Sequence, residues 1–298
     1  MGGGSYSFED RKVRSKAMGY DTKSTHEIFQ QRSINNAMDP HGVTVRESRD
    51  SQEHPNSVPI IIALDVTGSM GSIPHFLVKE GLPNIMQDII SAGIADPQLL
   101  FLAVGDHVYD SAPLQVGQFE SSDELLDKWL TDVYLESGGG ANEGESYHLA
   151  WYFAGFHTSI DSLEKRGQKG ILFTIGDEPT LAGIRNSELK KIMGEGQYAD
   201  LSASDLLEKA SEKYHCFHLH IKQTRAGSMQ STMNGWKQLM GEGLIIVDNK
   251  NDVSRIISEK VVEVQKQYQG VTSSPSTPEA KIEKGEEDNQ SNNEEEIL

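Results

Sequence analysis

The run 58–66 (VPIIIALDV) constrains this chain more than any other stretch. A short, continuous, β-branched run closed by a small polar loop reads as a strand covered on both faces, the pattern of a parallel sheet between helices. Two runs like it follow, at 99–104 (LLFLAV) and 170–175 (GILFTI), and shorter ones lie at 217–221 and 244–247. Helix-spaced apolar residues stand between them, at 76–91 (with Pro83 inside), 123–133, 145–156, 203–214, 232–240 and 253–268. Ser202 is placed to cap one of these helices, and Asn251 or Asp252 another. Residues 112–119 alternate as an edge strand does. The alternation predicts an α/β fold, a three-layer sandwich with a central, mostly parallel sheet. In such sheets ligands bind beyond the carboxyl ends of the strands, near the switch point.

The flanks differ from this core. Residues 1–57 hold eight basic and eight acidic residues and no sustained apolar period, so they read as a polar N-terminal arm, with a short helix around 24–31. Residues 271–298 hold eight acidic and two basic residues and end in a Glu-rich run, a composition expected to stay disordered. The core domain is expected over 58–270.

The net charge is −18. Such a surface repels phosphate backbones, which argues against nucleic acid as a partner and suits cations and basic protein surfaces. Cys216 is the sole cysteine, which rules out an intramolecular disulfide or a thiolate cluster and suits a reducing compartment. No apolar run approaches the roughly 20 residues that span a bilayer. The start, Met1 to Tyr6, lacks the apolar segment of a secretory signal, and Tyr6 stands where a myristoylation motif wants Ser or Thr. The expected location is the cytoplasm, away from membranes.

The chemistry concentrates in Asp65-Val66-Thr67-Gly68-Ser69-Met70-Gly71, directly after the first core strand. One carboxylate and two hydroxyls alternate there. These hard oxygen donors suit Mg2+, Mn2+ or Ca2+ and disfavour copper or zinc. Thr67 or Ser69 alone reads equally well as a helix cap. Two further loops supply oxygens. Asp177 follows the run 170–175, where a turn-forming Asp is also common. The glycine-rich loop 138–146 carries Asn142, Glu143 and Glu145 just before a helix. Three loops delivering oxygens to one edge of a sheet together predict a cation site.

These three segments resemble the metal-ion-dependent adhesion site of von Willebrand factor A domains. Asp65, Thr67 and Ser69 match the family's Asp-x-Ser/Thr-x-Ser motif, and Asp177 matches the Asp of its third loop. The resemblance covers about 58–268. In the second loop the family's usual Thr or Asp is missing, and Asn142 is the nearest donor, with Glu145 next. The chain is also similar to a group of bacterial and phage proteins with this domain, through Gly105-Asp106-His107, 112–115 (APLQ), 117–120 (GQFE) and Glu145-Ser146-Tyr147. The resemblance implies a binding module and no enzymatic activity. One ion, Mg2+ or else Mn2+ or Ca2+, would be held by Asp65, Thr67, Ser69, Asn142, Glu145 and Asp177, with a protein partner adding an acidic side chain. Because related proteins often act with AAA+ ATPases of the MoxR type, such an ATPase is a candidate partner.

Two other functions fit parts of the pattern. A haloacid dehalogenase-type phosphatase also sets an Asp after its first strand, around Mg2+, but wants a second Asp where Thr67 stands. A metal-free assembly protein would need none of the first loop's donors. Among the remaining residues, Asp106 and His107 read as a surface loop pair, His218 and His220 as same-face strand residues without a third metal ligand, and Tyr147, Trp151, Tyr152, Phe153 and Phe156 as core.

Overall fold

The computed structural model describes residues 5–136 and 144–272. Among these residues ten strands follow one another: β1 Arg46–Ser48, β2 Val58–Asp65, β3 Pro97–Val104, β4 Leu114–Val116, β5 Thr158–Ile160, β6 Gly170–Gly176, β7 Gly183–Ile184, β8 Leu201–Ser202, β9 Tyr214–Ile221 and β10 Leu244–Val247. The helices are α1 Phe8–Met18, α2 Thr25–Ile28, α3 Ile73–Phe76, α4 Leu82–Ser91, α5 Asp123–Thr131, α6 His148–Phe156, α7 Asp161–Arg166, α8 Asn186–Met193, α9 Ala203–Ser211, α10 Gln230–Met240 and α11 Val253–Thr272.

Six strands form the central sheet in the order β10-β9-β6-β2-β3-β4, all parallel except β4, which runs antiparallel to β3. Alternate side chains on each strand feed two separate cores. Ile60, Ile62, Leu64, Leu99, Phe101, Ile171 and Phe173 face a cluster with α4, α5 and α11, including Ile85, Leu126 and Ile257. Ile61, Ala63, Leu100, Leu102 and Leu172 face the other cluster, with α6, α8, α9 and α10, including Leu149, Leu189, Leu206 and Trp236. The two faces follow from the period of two along a strand, and the result is the expected three-layer sandwich. After β2 the chain moves to β3 and β4 on one side, then crosses to β6 on the other. The switch point is therefore the crevice beyond the ends of β2 and β6.

The stretch 76–91 departs from a continuous helix. It comprises the end of α3, a π turn at Leu77–Gly81, and then α4. Pro83 lies in the first turn of α4, where a missing amide costs nothing, and the widened turn before it absorbs the break.

The polar N-terminal segment differs from an extended arm. It holds α1, α2 and β1, and β1 pairs in parallel with β5. Polar anchors tie it down where no apolar period exists. The Arg11 guanidinium, 2% exposed, donates to the Asp127 carboxylate of α5 and to the Val78 carbonyl. Tyr20 donates to the same carboxylate at 2.7 Å. At the other end Arg49 reaches Asp161 and Glu164, both at 2.8 Å, and Arg166 reaches Asp50 at 2.6 Å. Residues 273–298, and with them most of the acidic tail, lie outside the described residues. No helix among the described residues is long and apolar enough to cross a membrane.

Candidate functional site

Asp65 is the last residue of β2 and points to the α6 side of the sheet, as the alternation from Ile61 and Ala63 requires. Its Oδ1 accepts the Thr67 amide at 2.9 Å and the Thr67 hydroxyl at 2.6 Å. Thr67 Oγ1 lies 3.3 Å from Ser69 Oγ, and Ser69 donates to Asp177 Oδ1 at 2.9 Å. Asp65 and Asp177 are fully buried, while Ser69 is exposed. Each hydroxyl thus spends its one proton on a carboxylate, Thr67 on Asp65 and Ser69 on Asp177, and the two hydroxyl oxygens come together where the loops after β2 and β6 meet, with Ser69 facing solvent. Gly71 turns the first loop with a φ of 53°, a conformation that suits glycine.

The electrostatics are those of a site short of positive charge. Burial pushes the Asp65 carboxyl up to about 7, against the pull of the Thr67 and Tyr147 hydrogen bonds, and the charge of Asp177 adds to the rise. Burial and then the charges of Asp65, Asp110, Asp106 and Glu178 push Glu145 up to about 9. Asp177 Oδ2 is buried and has no hydrogen-bond partner among the described residues, and the same holds for Glu145 Oε2. An unpaired buried carboxylate oxygen is costly unless a cation satisfies it. Two carboxylates and two hydroxyls, all hard donors, fit a divalent ion of the Mg2+, Mn2+ or Ca2+ kind.

Asp65, Thr67, Ser69 and Asp177 thus meet as one group. Glu145 has no hydrogen bond to them. Its backbone instead pairs with the third loop, from its amide to Pro179 O at 2.9 Å and from the Leu181 amide to its carbonyl at 3.0 Å. Among the described residues no three His, Cys, Asp or Glu side chains form a group able to hold a metal, so Glu145 does not complete a three-carboxylate cluster with Asp65 and Asp177. Asn142 lies outside the described residues.

A fifth residue belongs to the site and was read from sequence as core. Tyr147, buried at the start of α6, donates its hydroxyl to Asp65 Oδ2 at 2.7 Å. Burial and the neighbouring carboxylates hold its phenol well above the ordinary range, so it remains a donor. Gly176 makes this reach possible, since a Cβ there would lie 1.8 Å from the Tyr147 hydroxyl oxygen. The available signal was Tyr147 at the head of the nearly all-apolar stretch 147–156, since a buried Tyr needs a partner for its OH.

Asp106 and His107 are not surface residues. Asp106 is 1% exposed, and the His107 ring is held by Ser146 Oγ at 2.8 Å and Glu188 at 3.5 Å. Ser146, His107 and Glu188 follow the order of a hydrolytic triad, but the Ser146 hydroxyl is fully buried and already accepts the His107 amide at 2.8 Å. It fastens the loop after β3 to the start of α6. His218 stacks on Trp236 at 3.4 Å between ring centroids and bonds Thr174 Oγ1 at 2.9 Å, while His220 bonds the Gly227 carbonyl at 2.9 Å.

No protein-family model and no curated protein matches the chain. Among solved structures it is similar to the pilus adhesin SpaC of Lactobacillus rhamnosus GG in its open conformation, at 11% identity over 74% of this chain and 31% of the adhesin, with a TM-score of 0.47. It is also similar to proximal thread matrix protein 1 of the mussel byssus, at 11% identity over 70% of this chain and 48% of that one, with a TM-score of 0.45. The conserved hypothetical protein BatB of Bacteroides thetaiotaomicron matches at 15% identity over 70% of this chain and 99% of its own, with a TM-score of 0.42. The chain spans about a third of the length of the adhesin.

Proposed function

We propose that this chain is a metal-dependent protein-interaction module of the von Willebrand factor A type, without catalytic activity. Asp65, Thr67, Ser69 and Asp177 would hold one divalent cation, Mg2+ first and Mn2+ or Ca2+ as alternatives. When bound, the ion supplies positive charge at the sheet's carboxyl edge and leaves room for an acidic side chain from a partner. The observation that carries this reading is the meeting of the Thr67–Asp65 and Ser69–Asp177 pairs, their hydroxyl oxygens 3.3 Å apart, beside a buried Asp177 oxygen without a partner among the described residues. The chain's own residues each contribute a defined part. Thr67 and Tyr147 orient Asp65, Ser69 faces solvent, and Asp177 carries the free oxygen. An AAA+ ATPase of the MoxR type is the partner class we favour, in the cytoplasm, where a lone Cys216 meets no oxidising pressure. A phosphatase role lacks support because the second acid such chemistry wants is Thr67.

Thermal unfolding in EDTA and in millimolar Mg2+, Mn2+ and Ca2+ tests this reading. A cation specific for the native state must raise its melting temperature. Ser69→Ala removes the hydroxyl that donates to the buried Asp177 carboxylate, so in EDTA it should be less stable than the wild type by the roughly 1–3 kcal/mol that an unsatisfied buried acceptor costs. It should also bind the cation at least about tenfold more weakly, the loss expected on removing even a group that orients a ligand. A wild-type protein indifferent to all three cations would contradict the reading. So would robust hydrolysis of an aryl phosphate that Asp65→Asn abolishes.

A further inference from the structure

The site opens into a groove of about 1230 Å3, lined on one side by the loop from Asp177 to Ala182 and on the other by the loop after β9 and by α10. The volume exceeds the roughly 300–1,000 Å3 of ordinary small-ligand pockets and suits a length of polypeptide. Ser69 and Asp177 stand in its lining, so the groove and the cation site are continuous. Leu181, Met229 and Leu239 supply apolar wall, and Met229 is 44% exposed. A flexible, exposed Met beside such a wall is typical of surfaces that accept apolar side chains from another chain.

Two features say what the groove takes. Arg225 lines it, is exposed, and makes no ion pair among the described residues, in a chain where acidic residues outnumber basic ones by 45 to 27. The second feature is Gly235, inside α10 and also in the lining. A Cβ built there meets none of the described residues within 4 Å. Glycine inside a helix is unfavourable relative to alanine, and no described residue occupies the space that it leaves. That space faces the groove.

We propose that the groove receives an extended acidic–aliphatic peptide segment of the protein partner. One carboxylate would lie toward Ser69 and Asp177, an aliphatic side chain would sit over Leu181, Met229 and Leu239 across the space at Gly235, and a second carboxylate would pair with Arg225. The first contact rests on the metal-dependent reading above. Without a cation, Asp177 and Glu178 repel a carboxylate at that end of the groove. With one, the sign reverses, so binding by the whole segment depends on the metal.

The test is to pan a random dodecapeptide phage library on the immobilised full chain in Mg2+ and elute with EDTA. The enriched sequences should carry an Asp or Glu near an aliphatic residue with a second acid beyond it. Synthetic copies should bind Gly235→Leu and Arg225→Glu at least tenfold more weakly than wild type. Gly235→Ala should melt at or above the wild-type temperature and retain binding, which separates a blocked groove from a damaged helix. Peptides that need Mg2+ yet bind Gly235→Leu and Arg225→Glu as well as wild type would overturn the groove assignment and leave the metal reading standing. Groove-dependent peptides indifferent to EDTA would overturn the carboxylate placement. No enrichment, in a protein that Mg2+ stabilises, would overturn the proposal as a whole. The same outcome in a protein that no cation stabilises would instead indict the metal reading.

Discussion

Asp65→Asn, stripped of divalent cations at pH 8, should melt at a higher temperature than the wild type, and Mg2+ should no longer stabilise it. The reason lies in where Asp65 is buried. Its carboxyl is raised to about 7 chiefly by burial, from an unfolded value near 3.9. Between those two values the native state holds a proton that the unfolded chain has released. Stability without metal therefore falls as pH rises through this window and stays low above it. Asparagine keeps an oxygen for the Thr67 amide and hydroxyl, offers an amide proton to the Tyr147 oxygen, and removes the buried charge. A gain of even about 1 kcal/mol would raise the melting temperature by roughly 2–4 °C. The difference between the two proteins should shrink as the pH falls from 7 toward 4, where the wild-type carboxyl takes up its proton. Adding cation reverses the ranking. At a hundredfold excess over its dissociation constant a ligand contributes about 2.7 kcal/mol, which only the wild type gains. Differential scanning fluorimetry across pH 5–8, with EDTA or Mg2+, reads all of this. An Asp65→Asn protein less stable than wild type in EDTA at pH 8, or stabilised equally by Mg2+, would show that the buried carboxylate serves the fold and no cation.

Arg11→Met should destabilise the whole domain by about 3–5 kcal/mol, although Arg11 lies in the polar N-terminal segment. Its guanidinium is buried against Asp127, and removing it leaves that carboxylate with the Tyr20 hydroxyl as its remaining side-chain hydrogen bond among the described residues. An uncompensated buried charge, more than a lost attraction, sets the size of the loss. Replacing both partners, as Arg11→Met with Asp127→Leu, should recover most of the stability, because an apolar pair has no charge to desolvate. Urea unfolding should move as a single transition with an earlier midpoint. If Arg11→Met shifts it by less than about 1 kcal/mol and merely exposes the first residues to proteases, the segment is an appendage and no part of the cooperative unit.

The kind of force that holds each element decides how plainly it is written in the sequence. The strands β2, β3 and β6 were legible because apolar runs covered on both faces leave an unmistakable pattern. Asp65 and Asp177 followed, since a parallel sheet must bring the ends of neighbouring strands together. The N-terminal segment was not legible as folded, because Arg11, Arg49 and Arg166 anchor it through ion pairs to residues more than a hundred positions away, and ion pairs have no period. The small elements β5, α7 and α8 were missed for a related reason, being short and half polar. Tyr147 was hidden by its neighbours. In an apolar helix a Tyr looks like filling, and only the position of Asp65 Oδ2 reveals that its hydroxyl has a task. Glu145 was singled out as an acid in a donor-rich loop, and its backbone pairs with the third loop while its side chain makes no hydrogen bond to Asp65, Thr67, Ser69 or Asp177.

The most direct test of the cation site is anomalous diffraction at the manganese edge from crystals of the full chain in millimolar Mn2+. One peak beside Thr67 Oγ1 and Ser69 Oγ, between the carboxylates of Asp65 and Asp177, is the predicted result. A map with no peak at that position, or with manganese only elsewhere on this acidic surface, would contradict it.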